Sequence, residues 1–199
     1  MKEKNFEFEL PQGYQPVFHI DAQNIKTGII LNAIAVVILF LTIAIALILL
    51  MPLSVATVFP LLFWGLTLSL IPIIIYMILN ELIHGIAYKS LTGQKLTFGI
   101  SWSCAFCGVP NIYTYRKTAL IAVLAPFVTF TVIFAALMIA LYCYGNTVWY
   151  MASVILMGSH LGGCCGDLYV ACLLLFKYKN KRILMKDTGP KQTFYLPNN

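Results

Sequence analysis

The sequence predicts an all-α membrane protein with four transmembrane helices and one short cytoplasmic β-hairpin between the second and third. Three observations carry this prediction. The chain is 60% hydrophobic and only 10% charged, with a mean hydropathy of +0.86, whereas soluble domains carry about 25% charged residues. Four apolar stretches, residues 28–51, 58–79, 118–142 and 148–176, reach the roughly 20 residues that a bilayer crossing needs. Every Lys and Arg lies outside them, in three separate segments.

Residues 1–27 form an N-terminal arm. Phe6, Phe8 and Leu10 alternate with Glu7 and Glu9, the period of a strand, until Pro11-Gln12-Gly13 breaks the pattern. Such an arm can pair with another strand or pack on a membrane surface. The first span reads as a retained signal anchor, because it follows a polar segment with acids as well as bases and lacks a small-residue cleavage site. The second span runs directly into Asn80-Glu81-Leu82-Ile83-His84.

Between the second and third spans, residues 85–117 are the one sizeable non-membrane loop. Residues 96–107 are rich in aromatic and β-branched types, Gly108-Val109-Pro110-Asn111 reads as a turn, and residues 112–115 read as a return strand. A hairpin at the membrane surface with an exposed edge could hold an extended peptide by strand addition. The fourth span is overlong and interrupted by Gly158, Gly162, Gly163 and Gly166, which predicts a bend or an unwound turn. The basic tail, residues 177–199, contains Gly189-Pro190 and Pro197-Asn198-Asn199 and is expected to be disordered. The membrane domain is therefore residues 28–176, with no internal repeat.

Charge sets the expected orientation. Lys2, Lys4 and Lys26 precede the first span; Lys89, Lys95, Arg116 and Lys117 lie between the second and third. Lys177, Lys179, Lys181, Arg182, Lys186 and Lys191 follow the fourth, which completes the 13 basic residues. Residues 52–57 and 143–147 carry none. The positive-inside rule places both termini and the 85–117 loop in the cytoplasm, as in a multi-pass protein of a bacterial inner membrane. The net charge of +6 then serves topology and attraction to anionic lipid heads rather than nucleic-acid binding.

Six cysteines imply no disulfide framework. Cys104 and Cys107 fall on the reducing side and make at most half a zinc site. Cys143 and Cys172 read as packing residues, and His19, in a polar segment, as solvated.

Only two acidic residues interrupt the apolar stretches, and each stands near a histidine. Glu81 lies three residues before His84, and Asp167 lies seven after His160. Ionisable groups at membrane depth cost about 3 kcal/mol or more, so they mark sites. Asn80 to His84 is one residue short of HExxH, the helical zinc motif in which two histidines one turn apart face one metal and the glutamate acts as general base. Asn80 holds the first ligand position with a neutral oxygen donor that suits zinc poorly. His160, Cys164 and Asp167 share a helical face, and Asp167 could complete a site from a facing helix. Seven residues of straight helix span about 10.5 Å, so His160 needs an unwound turn to join Asp167, while Cys164 lies closer. Either residue could stand in for the histidine absent at position 80. A polar pair at the membrane interface is the plainer account of Glu81 and His84.

Taken together these residues resemble a family of small bacterial membrane zincin-type peptidases, distant relatives of the site-2 intramembrane metalloproteases. The resemblance runs from about Gly28 to Phe176. It rests on residues 80–85 closing the second span, the Cys-containing loop 103–110, Ala125-Pro126-Phe127 in the third span and Gly166-Asp167 in the fourth. It implies zinc as cofactor, His84 and Asp167 as ligands, Glu81 as catalytic base, and Asn80 as a departure at the first ligand position.

Three functions follow as alternatives. The first is a membrane-embedded metallopeptidase acting on a membrane-associated peptide or protein. The second is an inactive pseudoprotease that keeps the groove as a binding or regulatory protein. The third is a small transporter or channel component, disfavoured by four spans without a repeat.

Overall fold

Long apolar helices dominate the chain because their sequences offer water almost nothing. The computed structural model describes residues 4–50, 54–102, 104–179 and 181–198; Lys2, Met51, Pro52, Ser103 and Asn199 lie outside them. Helix α1 (Ile25–Leu49) begins where the Asn24 side chain accepts from the Lys26 and Thr27 N–H groups at 3.1 and 3.4 Å, which satisfies donors that a helix start leaves orphaned. Helix α2 (Val55–Thr92) is continuous over 38 residues, about 57 Å at 1.5 Å per residue. It exceeds a bilayer core of roughly 30 Å and so carries the Asn80–His84 motif within one unbroken element. Helix α3 (Arg116–Tyr144) includes Pro126 in its interior.

These three helices are long and apolar enough to cross a membrane, and a fourth crossing results if the broken pair that follows counts as one. That pair is α4 (Thr147–Gly163) and α5 (Cys165–Cys172), extended by a π-helical turn at Leu173–Lys177. The chain breaks at Cys164, as the glycine-rich sequence predicts. Ile48 and Leu49 are each 69% exposed and Phe59 74%, in keeping with apolar rather than aqueous surroundings for these faces.

The β content exceeds one hairpin. Strands β3 (Thr97–Ile100) and β4 (Ala105–Gly108) pair antiparallel as their own two-stranded sheet. A second, five-stranded sheet has the order β1-β5-β6-β7-β2. It comprises β1 (Phe6–Glu7), β2 (Tyr14–Asp21), β5 (Tyr113–Tyr115), β6 (Leu184–Asp187) and β7 (Lys191–Pro197). Two expectations change here. The predicted return strand exists as β5, but it pairs with β1 and β6 rather than closing the hairpin. The tail expected to be disordered instead supplies β6 and β7, turning at Gly189, whose φ of +100° suits glycine. The reason is burial. Ile183, Leu184, Met185 and Phe194 are essentially inaccessible, and Ile183, Met185 and Phe194 pack with Ala119, Val123, Val170 and Leu174. The N-terminal arm does pair, but the strand expected over residues 6–10 is only β1, against β5. The longer pairing comes from β2, beyond Pro11-Gln12-Gly13, with seven residues in register with β7.

The chain divides into two compact units. The first comprises Met1–Ile30, Ile78–Pro126 and Gly166–Asn199 and holds every strand among the described residues. The second comprises Leu31–Met77 and Phe127–Cys165 and is helical. Within the second unit, Gly158 and Gly162 lie one turn apart and meet α1: a Cβ on Gly162 would lie 2.6 Å from the Ala35 carbonyl oxygen. Small residues at this spacing let helix backbones approach closely in apolar surroundings.

Candidate metal centre

The first unit brings His84 and Asp167 together. His84 Nε2 lies 3.2 Å from Asp167 Oδ2. On the other side of the ring, Nδ1 lies 2.9 Å from the Ala122 carbonyl oxygen. A carbonyl can only accept, so Nδ1 carries a proton and donates it. Nε2 is thereby turned toward a carboxylate, and two facing lone pairs need a cation between them, a proton or a metal ion. His84 is buried, while the Asp167 side chain keeps 21% of its surface exposed, so the pair is reachable from outside the unit.

Glu81 stands one turn before His84 and is partly buried. Asn80 Nδ2 donates to Glu81 Oε1 at 3.1 Å, and the Cys107 backbone N–H donates to the same carboxylate. Strand β4 thus closes over the motif. Burial, then the Glu81 and Asp187 charges, push the Cys107 thiol up to about 12, so it holds its proton at neutral pH. The same end of α2 carries Tyr88, whose hydroxyl donates to Asp187 Oδ2 at 2.7 Å. Gly189 N–H and Gln192 Nε2 also donate to that carboxylate, at 2.9 and 3.3 Å. Beside the site, Leu82, Gly85, Ile86, Lys89, Leu96 and Phe98 line a cleft of about 370 Å³ between α2 and β3.

His160 and Cys164 belong to the second unit. There Tyr76 Oη and Thr131 Oγ1 take the two His160 ring nitrogens, at 3.0 and 2.9 Å. Cys164 Sγ lies 3.6 Å from His160 Nδ1 and 3.8 Å from Tyr76 Oη. Phe127 stacks on the ring and Phe134 meets it edge-on. Among the described residues no group of three or more His, Cys, Asp or Glu side chains gathers to hold a metal.

Residues 73–182 match the model of a family described as "Putative zincin peptidase". The chain belongs to this family. The match begins in α2, takes in the Asn80–His84 motif and Asp167, and stops before β6. No curated protein matches the chain, and no solved structure does.

The family name implies zinc, and the zincin residues present fit it in part. Two ligands at about 2.0–2.1 Å from a tetrahedral zinc lie about 3.3 Å apart, close to the 3.2 Å between His84 Nε2 and Asp167 Oδ2. A ligand histidine that donates its other N–H to a carbonyl is the usual supporting arrangement. His84 and Asp167 would hold the ion, and Asn80 leaves the motif short of its third strong donor.

Sequence reasoning passed over Tyr88, the Ala122 carbonyl, the Cys107 N–H and Asp187. Tyr88 lies four residues beyond His84 on one helix face, a spacing that was visible. The main-chain groups have no side-chain signature, and Asp187 sat in a tail read as unstructured.

Proposed function

We propose that this protein is a membrane-embedded, zincin-type metallopeptidase that acts on membrane-associated peptides. His84 and Asp167 are its metal ligands and Glu81 its base. The observation that carries this reading is the His84–Asp167 pair, with Nδ1 tied to the Ala122 carbonyl and Nε2 turned to the carboxylate. When bound, zinc would polarise a peptide carbonyl and activate water. Glu81, held by Asn80 and the Cys107 N–H, is the residue that would accept a proton from such a water. Strand β3 pairs only with β4 among the described residues, which leaves an edge on which an extended substrate could add beside the apolar cleft.

The distribution of Lys and Arg supports four spans with both termini and the 85–117 loop in the cytoplasm of a bacterial cell, the inner membrane being the site of action. Its lipid partners are then anionic headgroups. A second reading, an inactive binding protein, is favoured by Asn80, which occupies a ligand position and spends its amide on Glu81.

Metal analysis of detergent-purified protein separates the two. Wild type is expected to bind zinc weakly, Asn80→His to bind at least about tenfold more tightly by adding an imidazole one turn from His84, and His84→Ala to bind none. Zinc in Asn80→His but not in wild type supports the inactive protein. Absence of zinc from every variant would sink the metal reading and leave a polar pair.

A further inference from the structure

Pro126 lies in the interior of α3, four residues after Ala122. In a helix the carbonyl of residue i accepts the N–H of residue i+4, and proline has none. The Ala122 carbonyl is therefore left without its helical donor, and it is this carbonyl that His84 Nδ1–H reaches at 2.9 Å. Both Pro126 and Ala122 are buried, where an unmet carbonyl would be costly. The missing helical bond and the histidine bond are complementary.

We propose that Pro126 is a positioning residue for His84: by withholding a donor from Ala122 it reserves that carbonyl for Nδ1–H and so presents Nε2 to Asp167. A neutral imidazole has one N–H. With a proton fixed on Nδ1, it is Nε2 that faces Asp167, where it takes either a second proton or, in its place, a metal. Restoring an N–H at position 126 gives Ala122 a helical partner and frees the ring to place its proton on Nε2, donating to Asp167 instead. The consequence for metal binding rests on the function proposed above; the consequence for the imidazole does not.

The test is Pro126→Ala, with Pro126→Gly as the second variant if the first does not fold, since both restore the N–H. Nitrogen-15 spectra of histidine-labelled, metal-free protein in micelles report which ring nitrogen carries the proton. His84→Gln assigns the signal among the 3 histidines. Wild type is expected to show a proton on Nδ1, whether or not Nε2 also carries one toward Asp167, and the position-126 variants to lose the Nδ1 proton and keep one on Nε2. Pro72→Ala, which removes an interior proline from α2, should leave the His84 signal unchanged. The thermal midpoint of Pro126→Ala should equal or exceed that of wild type, because alanine favours a helix interior where proline opposes it. Zinc affinity should fall about 10- to 100-fold, the usual effect of losing a ligand's supporting partner. An unchanged Nδ1–H in the variants, or an equal change in Pro72→Ala, overturns the proposal. Wild type that binds no zinc overturns the metallopeptidase reading instead, and the imidazole spectra still decide the role of Pro126.

Discussion

Asp187 shows how one buried group can set a pH response. The residue is 3% exposed, and burial pushes its carboxyl up to about 6 from 3.8, against the opposing pull of the Tyr88, Gly189 and Gln192 donors. The folded protein thus keeps this proton over a range in which the unfolded chain has released it. Between pH 4 and 6 the native state binds more protons, so this group's contribution to stability falls as pH rises and is level above 6. The full loss is on the order of 3 kcal/mol at 1.36 kcal/mol per pH unit. Asp187→Asn is expected to flatten the unfolding midpoint over this window relative to wild type, as measured by thermal melts in detergent. Glu7 moves the opposite way, lowered by Lys4 and Tyr115, so only the difference between the two proteins isolates Asp187. Cys107 gives a second residue-scale expectation. Buried and held protonated, it should resist maleimide at pH 7.5 until the protein is unfolded. Rapid modification of the native protein would contradict this placement.

Among the elements, glycine positions divide sharply by what surrounds them. A Cβ at Gly108 would fall onto the Gly189 nitrogen and the Thr188 carbonyl carbon, backbone atoms that cannot step aside. The Val109 N–H donates to the Asp187 carbonyl at 2.9 Å in the same place, so β4 and the β6–β7 turn are sewn together there. Gly108→Ala should cost about 3 kcal/mol or more. Gly163 closes α4, and its nearest neighbour to an added Cβ is Tyr76 Oη at 3.8 Å. Gly163→Ala should be neutral or stabilising by up to about 1 kcal/mol. Denaturant melts of the two variants check this, and equal losses would show that the glycines act through chain flexibility instead of packing.

At the scale of the whole molecule, the tail decides whether the first unit holds. β7 is the strand on which β2 pairs and to which β6 is joined. Removing residues 183–199 leaves β2 without its partner and uncovers Ala119, Val123 and Val170. Such a truncation should lose protease resistance over residues 4–30 and 78–126, as read by limited trypsin digestion; a dispensable tail would leave the digestion pattern unchanged. The orientation proposal belongs to this scale too. Cys104 should be inaccessible to impermeant thiol reagents in intact cells and accessible in inverted vesicles. Labelling from outside would reverse the orientation.

The sequence alone determined the long apolar helices, the break near Cys164, the short strand at Phe6–Glu7 and the placing of Glu81 one turn from His84, because each follows from local period, apolar run length or helical spacing. It also singled out Asp167, a lone carboxylate in an apolar stretch. Only the tertiary structure decided which groups meet. Nothing local to residues 112–115 says that they pair with the arm and the tail, and the apolar residues of the tail gain nothing until α3 and α5 are there to cover them. The same holds at the site. Whether His84 reaches Asp167 depends on two elements separated by 83 residues, and which nitrogen it presents depends on a main-chain oxygen of a third helix. Side-chain chemistry is written in the residue types, but the partner of a main-chain carbonyl is set only when the chain has folded around it.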